Sequence, residues 1–341
     1  MTTIIAWIVV FGVLVAVHEL GHFIMAKLLG MRVEEYSLGF GPSMLRIRGP
    51  ETLYAVRLIP LGGYVRLAGM EGKPSDDPRD YPNRPLWQRF VVIFAGPVMN
   101  LLLAALLYAL LFGPVGIPVA TTMVAHTLAH YPAQAAGIRP GDQIIAVDGH
   151  PVQNWSQLDQ LIRQHARHVM EITVKRGQAI RRFFVRGRWD PTQKAYLIGI
   201  EPATRLIHEP LWMALKAGVS QTVQLTGAWF RALASLVTGH SRFDITGPVG
   251  IAVLVGQAAR EGLPYLVLLA AGLSANLGLF NILPVPVLDG SRLFLLGLEG
   301  VRRKAMDPER ESMIHLVGMA LLLLFVMFVT YHDLVHYLHL G

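Results

Sequence analysis

Four long apolar stretches constrain this chain more than any other feature of its sequence. They cover about residues 4–29, 88–112, 263–283 and 313–331, and each is long enough to cross a bilayer as a helix. Hydrophobic residues make up 53% of the chain and charged residues only 16%, against roughly 25% charged in soluble domains. The sequence therefore predicts a polytopic α-helical membrane protein with about four transmembrane helices.

The first stretch ends in a cluster of titratable side chains. Residues Ile4 to Val17 carry no charge, and His18-Glu19-Leu20-Gly21-His22 follows them. On a helix, His18 and His22 share one face, so their two imidazoles can bind one metal. The Glu19 carboxylate would then lie beside a water molecule bound to that metal. Polar groups at membrane depth are costly and usually functional. The alternative is a helix end whose histidines merely lie at the membrane interface.

The distribution of basic residues predicts an orientation in the membrane. Lys and Arg are denser in 27–90 and 297–312 than in 113–257, and cytoplasmic loops carry an excess of these residues. The N-terminus, 113–257 and the C-terminus are therefore predicted outside, and the other two segments inside. The same bias explains the formal net charge of +7. Nucleic acid is not expected as a partner, because no basic helix or aromatic-basic module is present.

The third stretch leads to an acidic residue at the depth of the histidines. Its end, Asn281-Ile282-Leu283-Pro284-Val285-Pro286-Val287-Leu288-Asp289-Gly290, contains two prolines that stop a helix. The first and third stretches are both predicted to run from outside to inside, so Asp289 arrives at the level of His18 and His22. The chain has no cysteine, so a metal needs His, Asp or Glu. Asp289 is the best candidate for a third zinc ligand.

Residues 31–70 are predicted to form a membrane-associated β-hairpin region. Residues 44–48 and 53–58 have the length and composition of strands, and glycines and prolines near 39–42 and 60–63 punctuate them. The apolar content of this region suggests that it dips toward the membrane, and a plain cytoplasmic connector is the alternative. Residues 71–85, rich in charge and proline, are predicted to be a mobile linker.

The second stretch contains Gly96-Pro97 and, one turn further on, Asn100. A Gly-Pro pair inside a span is expected to bend the helix and to free backbone groups. Asn100 either satisfies those groups or faces the metal site.

The outside segment 118–190 is predicted to be a small β-rich domain. A strand at 143–147 is followed by an amphipathic helix at 155–165 and a strand at 169–175. Its Gly-Ile-Arg-Pro-Gly-Asp and Ile-Ile-Ala-Val-Asp-Gly runs closely resemble a PDZ domain, a module that binds extended peptides, often C-termini, by strand addition. A compact plug without a peptide ligand is the alternative.

The expected organisation has four parts. An N-terminal membrane core covers 1–117, the PDZ domain 118–190, an amphipathic helical connector 191–257 and a C-terminal membrane core 258–341. The fourth apolar stretch is expected to serve packing only.

Together these motifs resemble the site-2 protease family, and in particular its bacterial regulators of sigma-E. The resemblance rests on His18-Glu19-x-x-His22, Gly96-Pro97-x-x-Asn100, Asn281-x-x-Pro284-x-x-x-x-Asp289-Gly290 and the PDZ-like insert. It covers nearly the whole chain. The proteobacterial type usually carries two tandem PDZ domains, and this chain has room for one.

The resemblance implies an intramembrane zinc endopeptidase with one Zn²⁺ and with Glu19 as its catalytic residue. The implied metal ligands are His18, His22 and Asp289, and the assigned substrate-binding residues are Asn281, Asn100, Gly96, Pro97 and Pro284. The implied substrates are membrane-spanning proteins, such as a pre-trimmed anti-sigma factor, and remnant signal peptides. The implied location is the bacterial inner membrane, with the PDZ domain on the extracytoplasmic side and the active site near the cytoplasmic leaflet.

Two other classes of function fit parts of the sequence. A catalytically inactive membrane scaffold would use the PDZ domain to hold a peptide partner, although Glu19 and all three ligands are present. A divalent-cation transporter would use the membrane His and Asp residues, but it should have polar residues along several helices, and the fourth stretch has almost none.

Overall fold

The computed structural model describes residues 2–70, 76–191, 194–238, 247–304 and 308–338. The chain divides into two compact units. The first joins Met1–Val115 to Glu209–Gly341, and the second is Gly116–His208.

Helices and strands alternate along the chain in long blocks. The helices are α1 (Thr2–Leu28), α2 (Leu86–Leu110), α3 (Pro132–Ala136), α4 (Trp155–His165), α5 (Leu211–Val237), α6 (Pro248–Glu261), α7 (Leu263–Phe280), α8 (Asp289–Arg302) and α9 (Pro308–Leu338). The strands are β1 (Val33–Arg48), β2 (Leu53–Leu67), β3 (Ile117–Thr127), β4 (Gln143–Val147), β5 (His150–Pro151), β6 (Val169–Arg176), β7 (Ala179–Arg186), β8 (Arg188–Asp190), β9 (Ala195–Leu197) and β10 (Ile200–Ile207).

Four helices of the first unit are long and apolar enough to cross a membrane. They are Thr3–Leu28, Leu86–Val115, Leu263–Phe280 and Met313–Val335, and they correspond to the four apolar stretches. The second of these stays helical through Pro97 and ends in a π turn at Leu111–Val115. The prediction of a polytopic α-helical membrane protein with a β-rich region is confirmed.

The hairpin of β1 and β2 is longer than the sequence predicts. Both strands fold back on themselves, so that 43–48 pairs with 53–57, while 33–38 pairs with 63–67 on one side and 35–38 pairs with 53–56 on the other. The predicted strands at 44–48 and 53–58 are confirmed, because they pair with each other, but the sequence does not predict that the sheet also includes 33–40 and 62–67. Gly39 and Gly62 adopt φ values of 87° and 93°, which glycine permits without strain, so the strands continue through the expected breaks as bulges.

The prediction of a mobile linker is wrong for residues 76–85. Asp80 is buried and pairs with Arg32, whose Nε lies 3.1 Å from Oδ1. Tyr81 is also buried, and its N–H donates to the carbonyl of Ala68 at 2.9 Å. The remainder of the predicted linker, 71–75, lies outside the described residues.

The second unit is an antiparallel sheet packed around its own apolar core. The strand order is β10-β3-β4-β6-β7, with β5 on β4, while β8 and β9 form a separate pair. Inward-facing side chains such as Ile144, Met170 and Ile172 pack against Leu158 and Ile162 of α4. Asn154 caps that helix, since its Oδ1 accepts the N–H of Gln157 at 2.9 Å.

The predicted helical connector at 191–257 is wrong in its first part. β9 and β10 lie there, and β10 pairs with β3 from Ile200 opposite Thr127 to Ile207 opposite Ile117. The β unit thus extends to His208 rather than 190. The error has a physical reason, because β10 pairs with residues of β3 that lie 73 to 90 positions earlier in the chain, and local patterns do not report such a pairing.

Two further features correct the prediction for the C-terminal part. The segment 297–312, which is predicted to lie inside, begins within α8, an amphipathic helix that the sequence pattern did not reveal. α9 does more than pack, because buried Asp333 accepts the N–H groups of Gly247 and Gly250 at 3.1 and 2.9 Å. This carboxylate caps the N-terminus of α6.

Candidate metal centre and cleft

The two histidines of α1 lie side by side where α1 meets α2. Their Nε2 atoms are 3.2 Å apart, and both side chains are buried. His22 Nδ1 lies 2.9 Å from the carbonyl oxygen of Val92, which can only accept, so Nδ1 carries the hydrogen. The Nε2 lone pair of His22 is therefore directed at the space between the rings.

Asp289 reaches the same space from the first turn of α8. Its Oδ2 lies 3.0 Å from His18 Nε2 and 3.2 Å from His22 Nε2. The preceding loop is closed by a hydrogen bond from the N–H of Gly290 to the carbonyl of Asn281. A β-carbon on Gly290 would lie 2.1 Å from the carbonyl oxygen of Leu283, so glycine is needed for this closure.

These three donor atoms fit a zinc ion. They are 3.0 to 3.2 Å from one another, and ligand atoms at tetrahedral zinc distances lie about 3.3 Å apart. Two imidazole nitrogens and one carboxylate oxygen are a donor set that catalytic zinc uses, with a fourth position left open. Apart from the imidazoles, the buried Oδ2 of Asp289 has no partner among the described residues. The donor set is therefore complete and otherwise unused.

Two glycines let α1 and α2 approach closely enough to build this centre. A β-carbon on Gly96 would lie 2.3 Å from His22 Nε2 and 2.9 Å from His18 Cε1. A β-carbon on Gly21 would lie 2.5 Å from the carbonyl oxygen of Ala95. Any side chain at either position would displace a histidine or separate the helices.

Asn100 faces the metal centre rather than the backbone of α2. Its Nδ2 lies 3.2 Å from His18 Nδ1, and its side chain is buried. Its Oδ1 is buried without a partner among the described residues. Oxygen and nitrogen of an amide occupy equivalent positions, so a half-turn of this amide would bring Oδ1 to His18 Nδ1.

A cleft opens onto the three donor atoms. A cavity of about 340 Å³ is lined by them and by the side chain of Glu19, the next residue of α1 after His18. Asn281 lines it from the end of α7, and Tyr64 and Val65 line it from β2. A second cavity of about 390 Å³ adjoins the first, since Tyr64, Val65, Leu67, Met70 and Arg292 line both.

The hairpin forms one wall of the cleft and is anchored to α1. The Tyr36 hydroxyl donates to the carbonyl of Ala16 at 3.0 Å, and a β-carbon on Gly63 would lie 3.2 Å from Cγ of Glu19. Behind this wall Glu35 is buried. Burial raises its pKa, but hydrogen bonds from Arg57 and Tyr64 and the nearby positive charges outweigh burial and bring the pKa below its usual value. Glu35 is thus a fixed anion that holds the hairpin together.

The structure does not bring every predicted site residue to the cleft. Pro284 is exposed and does not line it, and Pro97 is buried in α2 against Gly278 of α7. Gly96 and Asn100 contact the histidines instead of the cavity. Sequence reasoning missed Gly21 and Arg292. Gly21 stands within the histidine motif, and Arg292 follows Asp289 by one helical turn, so spacing was a usable signal for both.

A His-Glu-x-x-His helix in an apolar bundle, with a carboxylate beside both imidazoles, is the arrangement of a membrane-embedded zinc metalloprotease. Comparison with known proteins agrees. The chain belongs to peptidase family M50, the site-2 protease family, whose model matches residues 6–325, and it is accordingly a zinc metalloprotease that uses Zn²⁺.

Relatives match along almost their full length. A protein named as a zinc metalloprotease in Clostridium acetobutylicum is 37% identical over 98% of this chain and 97% of that protein. The zinc metalloprotease RasP of Geobacillus kaustophilus is 30% identical over 98% of both chains. The regulator of sigma-W protease RasP of Bacillus subtilis is 28% identical, again over 98% of both.

Proposed function

We propose that this protein cleaves membrane-spanning proteins inside the bilayer, with His18, His22 and Asp289 as ligands of one zinc and Glu19 as the general base. The observation that carries the proposal is the convergence of three donor atoms to within 3.2 Å of one another. Glu19 lines the same cavity and contributes to no ion pair with Lys or Arg among the described residues, so its carboxylate is available to water.

Each residue of the site then has a distinct task. Zinc, when bound, supplies Lewis-acid polarisation of the scissile carbonyl and makes water more acidic. The Glu19 carboxylate accepts the proton of the attacking water and afterwards delivers it to the nitrogen of the leaving amine. Asn281, buried at the end of α7 and directed into the cavity, supplies amide groups that hold the substrate backbone.

Contacts behind the ligands orient them. The carbonyl oxygen of Val92 accepts a hydrogen bond from Nδ1 of His22, so the hydrogen of this imidazole is fixed on Nδ1. Asn100 does the same for His18 when its Oδ1 accepts from Nδ1, which leaves Nε2 of His18 with its lone pair directed at the metal. Such outer partners raise the affinity of a histidine ligand for metal. The role of Asn100 and Gly96 is therefore to support the ligands, and substrate contact falls to Asn281.

The substrate is a transmembrane helix that unwinds at the site, because a helix hides its peptide bonds. Residues 63–67 of β2 pair on one side only, with 33–38 of β1, among the described residues, so their other edge is available to hold the unwound segment by strand addition. The name of the Bacillus relative refers to regulation of a sigma factor, which supports a pre-trimmed anti-sigma factor as the substrate type. Remnant signal peptides share the same chemistry.

The β unit at 116–208 has the role of a PDZ domain on the extracytoplasmic side of the bacterial inner membrane. Its Gly-Ile-Arg-Pro-Gly-Asp loop, antiparallel sheet and α4 support that assignment. It binds a peptide or C-terminus and admits substrates that another protease has already trimmed. The excess of Lys and Arg in 27–90 supports this topology.

The purified full chain, loaded with zinc in detergent, tests the proposal against a model single-pass substrate. Glu19→Gln should keep one zinc per chain and lower the cleavage rate by about 10²- to 10⁴-fold, the usual contribution of a general base. Asp289→Ala should lose both zinc and cleavage. Unchanged cleavage in Glu19→Gln would contradict the assignment and would favour an inactive scaffold, with the measured activity coming from a contaminant.

A further inference from the structure

Arg292 brings a positive charge into the cleft. It lies one helical turn after Asp289 on α8, and residues three apart share a helix face. Its side chain lines both the cavity that holds the donor atoms and the adjoining cavity. It therefore lies between the metal centre and the outer part of the cleft.

The guanidinium of Arg292 is weakly satisfied. Its one hydrogen-bond partner within the described part of the chain is the thioether sulfur of Met70, 3.1 Å from Nη1, and a thioether is a weak acceptor. Within those same residues no carboxylate approaches it to 4.0 Å. The guanidinium has five N–H donors, so most of its binding capacity is unused.

Other arginines of the first unit show the contrast. Arg57 pairs with Glu35, Arg32 with Asp80 and Arg89 with Glu299. Each of these guanidinium groups finds a carboxylate within its own fold. Among the described residues that line the cleft, Arg292 is the arginine that has only a sulfur atom as a partner, so its counter-anion is expected to come from a ligand.

The reaction itself supplies such an anion. Hydrolysis adds one water across the peptide C–N bond, and it leaves a carboxylate on the N-terminal product and an ammonium group on the other. A carboxylate that forms in apolar surroundings is unfavourable unless it is paired. Guanidinium is the side chain best shaped to bind a carboxylate through two parallel hydrogen bonds.

We propose that Arg292 binds the new C-terminal carboxylate of the N-terminal cleavage product and draws it from the metal centre toward the adjoining cavity. This inference rests on the proposed function. The outer cavity contains a second arginine, Arg66. Arg66 and Arg57 share the single carboxylate of Glu35, so this group keeps a net positive charge along the exit route. Arg292 acts here on the product, while the intact substrate offers it only neutral carbonyl groups.

Two apolar hexapeptides of identical sequence test the inference, one ending in a free carboxylate and the other in a carboxamide. Their affinities are measured by fluorescence anisotropy with the full chain in detergent, zinc-loaded and zinc-depleted. The zinc-depleted form removes direct binding of the carboxylate to metal. We expect the acid to bind at least about tenfold more tightly than the amide in both forms, as a charge-assisted hydrogen bond implies.

Substitutions at Arg292 identify the source of that preference. Arg292→Gln should abolish the preference in the zinc-depleted protein, and Arg292→Lys should retain part of it because the charge remains. Arg302→Gln is the matched control, since Arg302 is exposed in the last turn of the same helix, and it should leave the preference unchanged. Zinc content of each variant reports whether α8 still places Asp289 correctly.

Each outcome decides the inference separately from the proposed function. An acid preference that persists in Arg292→Gln with normal zinc content would overturn it, even if the wild-type chain cleaves its substrate. Equal binding of acid and amide by the wild type would also overturn it and would make Arg292 a packing partner of Met70. Absence of cleavage by the wild type, with the Arg292-dependent preference intact, would instead contradict the proposed function.

Discussion

Gly318 of α9 lies directly against Pro286 of the loop that ends at Asp289. A β-carbon placed on Gly318 would be only 1.9 Å from the β-carbon of Pro286. The next residue of the loop, Val287, has a φ of 82°, which is unfavourable for a β-branched side chain. Its N–H donates to His315 Nδ1 of α9 at 3.4 Å. α9 therefore braces a strained loop two residues from a proposed metal ligand.

Enlarging Gly318 should loosen the metal centre. In Gly318→Ala the added methyl must push Pro286 away, and Asp289 should lose its fixed position beside the histidines. We expect zinc affinity to fall by about 10- to 100-fold, as for other changes just outside a ligand shell. Competition with a chromogenic chelator measures it. Gly297→Ala is the control, because a β-carbon there meets nothing within 4 Å, and an equal loss in both variants would contradict the bracing role.

The contact of Gly96 with both imidazoles gives a second prediction. Gly96→Ala should abolish high-affinity zinc binding, because the methyl would overlap His22 Nε2 itself. Gly12→Ala makes the same change on α1 at a position with open space, and it should retain one zinc per chain. Zinc content by mass spectrometry of the purified proteins compares the two. Full zinc content in Gly96→Ala would show that the helices separate without harm to the site.

Asn100 allows a test of how His18 is oriented. Asn100→Asp places an acceptor at His18 Nδ1 whichever oxygen faces it, so this variant should keep zinc affinity within about threefold or improve it. Asn100→Leu has similar volume and no acceptor, and it should lower the affinity by about 10- to 100-fold. If both substitutions lowered the affinity equally, Asn100 would act through packing and not through the histidine.

The β unit should lose stability in acid through one buried ion pair. Asp142 accepts hydrogen bonds from Arg176 Nε at 2.6 Å and from the N–H of Arg139 at 2.9 Å. Burial raises the pKa of Asp142, but these bonds and the charge of Arg176 outweigh it, so the pKa lies below its ordinary value. A carboxyl with a lowered pKa contributes its full stabilisation above its unfolded pKa of about 4, and that contribution is lost as the pH falls through the lower folded value.

Hydrogen exchange of the β4 and β6 amides in the full chain, corrected for intrinsic rates, measures this effect. Protection should stay constant from pH 7 to about 4 and decline below. Asp142→Asn should lower the stability of the unit by roughly 3 kcal/mol at neutral pH and flatten the acid decline. Asp159→Asn removes an exposed pair with Arg163 and should cost less than about 0.5 kcal/mol. If the protection of these amides in Asp142→Asn fell in acid as it does in the wild type, other titratable groups would be responsible for the loss.

The sequence alone predicted the features that depend on local patterns or on simple geometry. Hydropathy located four spans within a few residues, because the bilayer sets the length of a helix that crosses it. Counting residues along the first and third spans places Asp289 at the same predicted depth in the membrane as His18 and His22, without any knowledge of how the helices pack. The length of the apolar stretches and the helical spacing of His18 and His22 are enough for these two predictions.

The remaining features depend on contacts between distant segments. β10 is a strand because β3 lies beside it, and β1 continues through Gly39 because only a glycine can lie so close to the carbonyl oxygen of Ile59 on β2. The sequence leaves two roles open for Asn100, and the packing of α2 against α1, which brings its amide to His18 Nδ1, decides between them. Spacing from Asp289 points to Arg292, but its contact with Met70 and the contact of Gly318 with Pro286 join segments that no local pattern connects.

The position of the cleaved bond tests the central claim most directly. Purified zinc-loaded protein is incubated in lipid vesicles with a single-pass substrate that has soluble segments on both sides, and intact mass spectrometry identifies the products. We predict two products that meet inside the apolar span, formed by the wild type and absent with Glu19→Gln, although that variant retains its zinc. Products that meet in a soluble segment, or products that still form with Glu19→Gln, would contradict intramembrane proteolysis by this site.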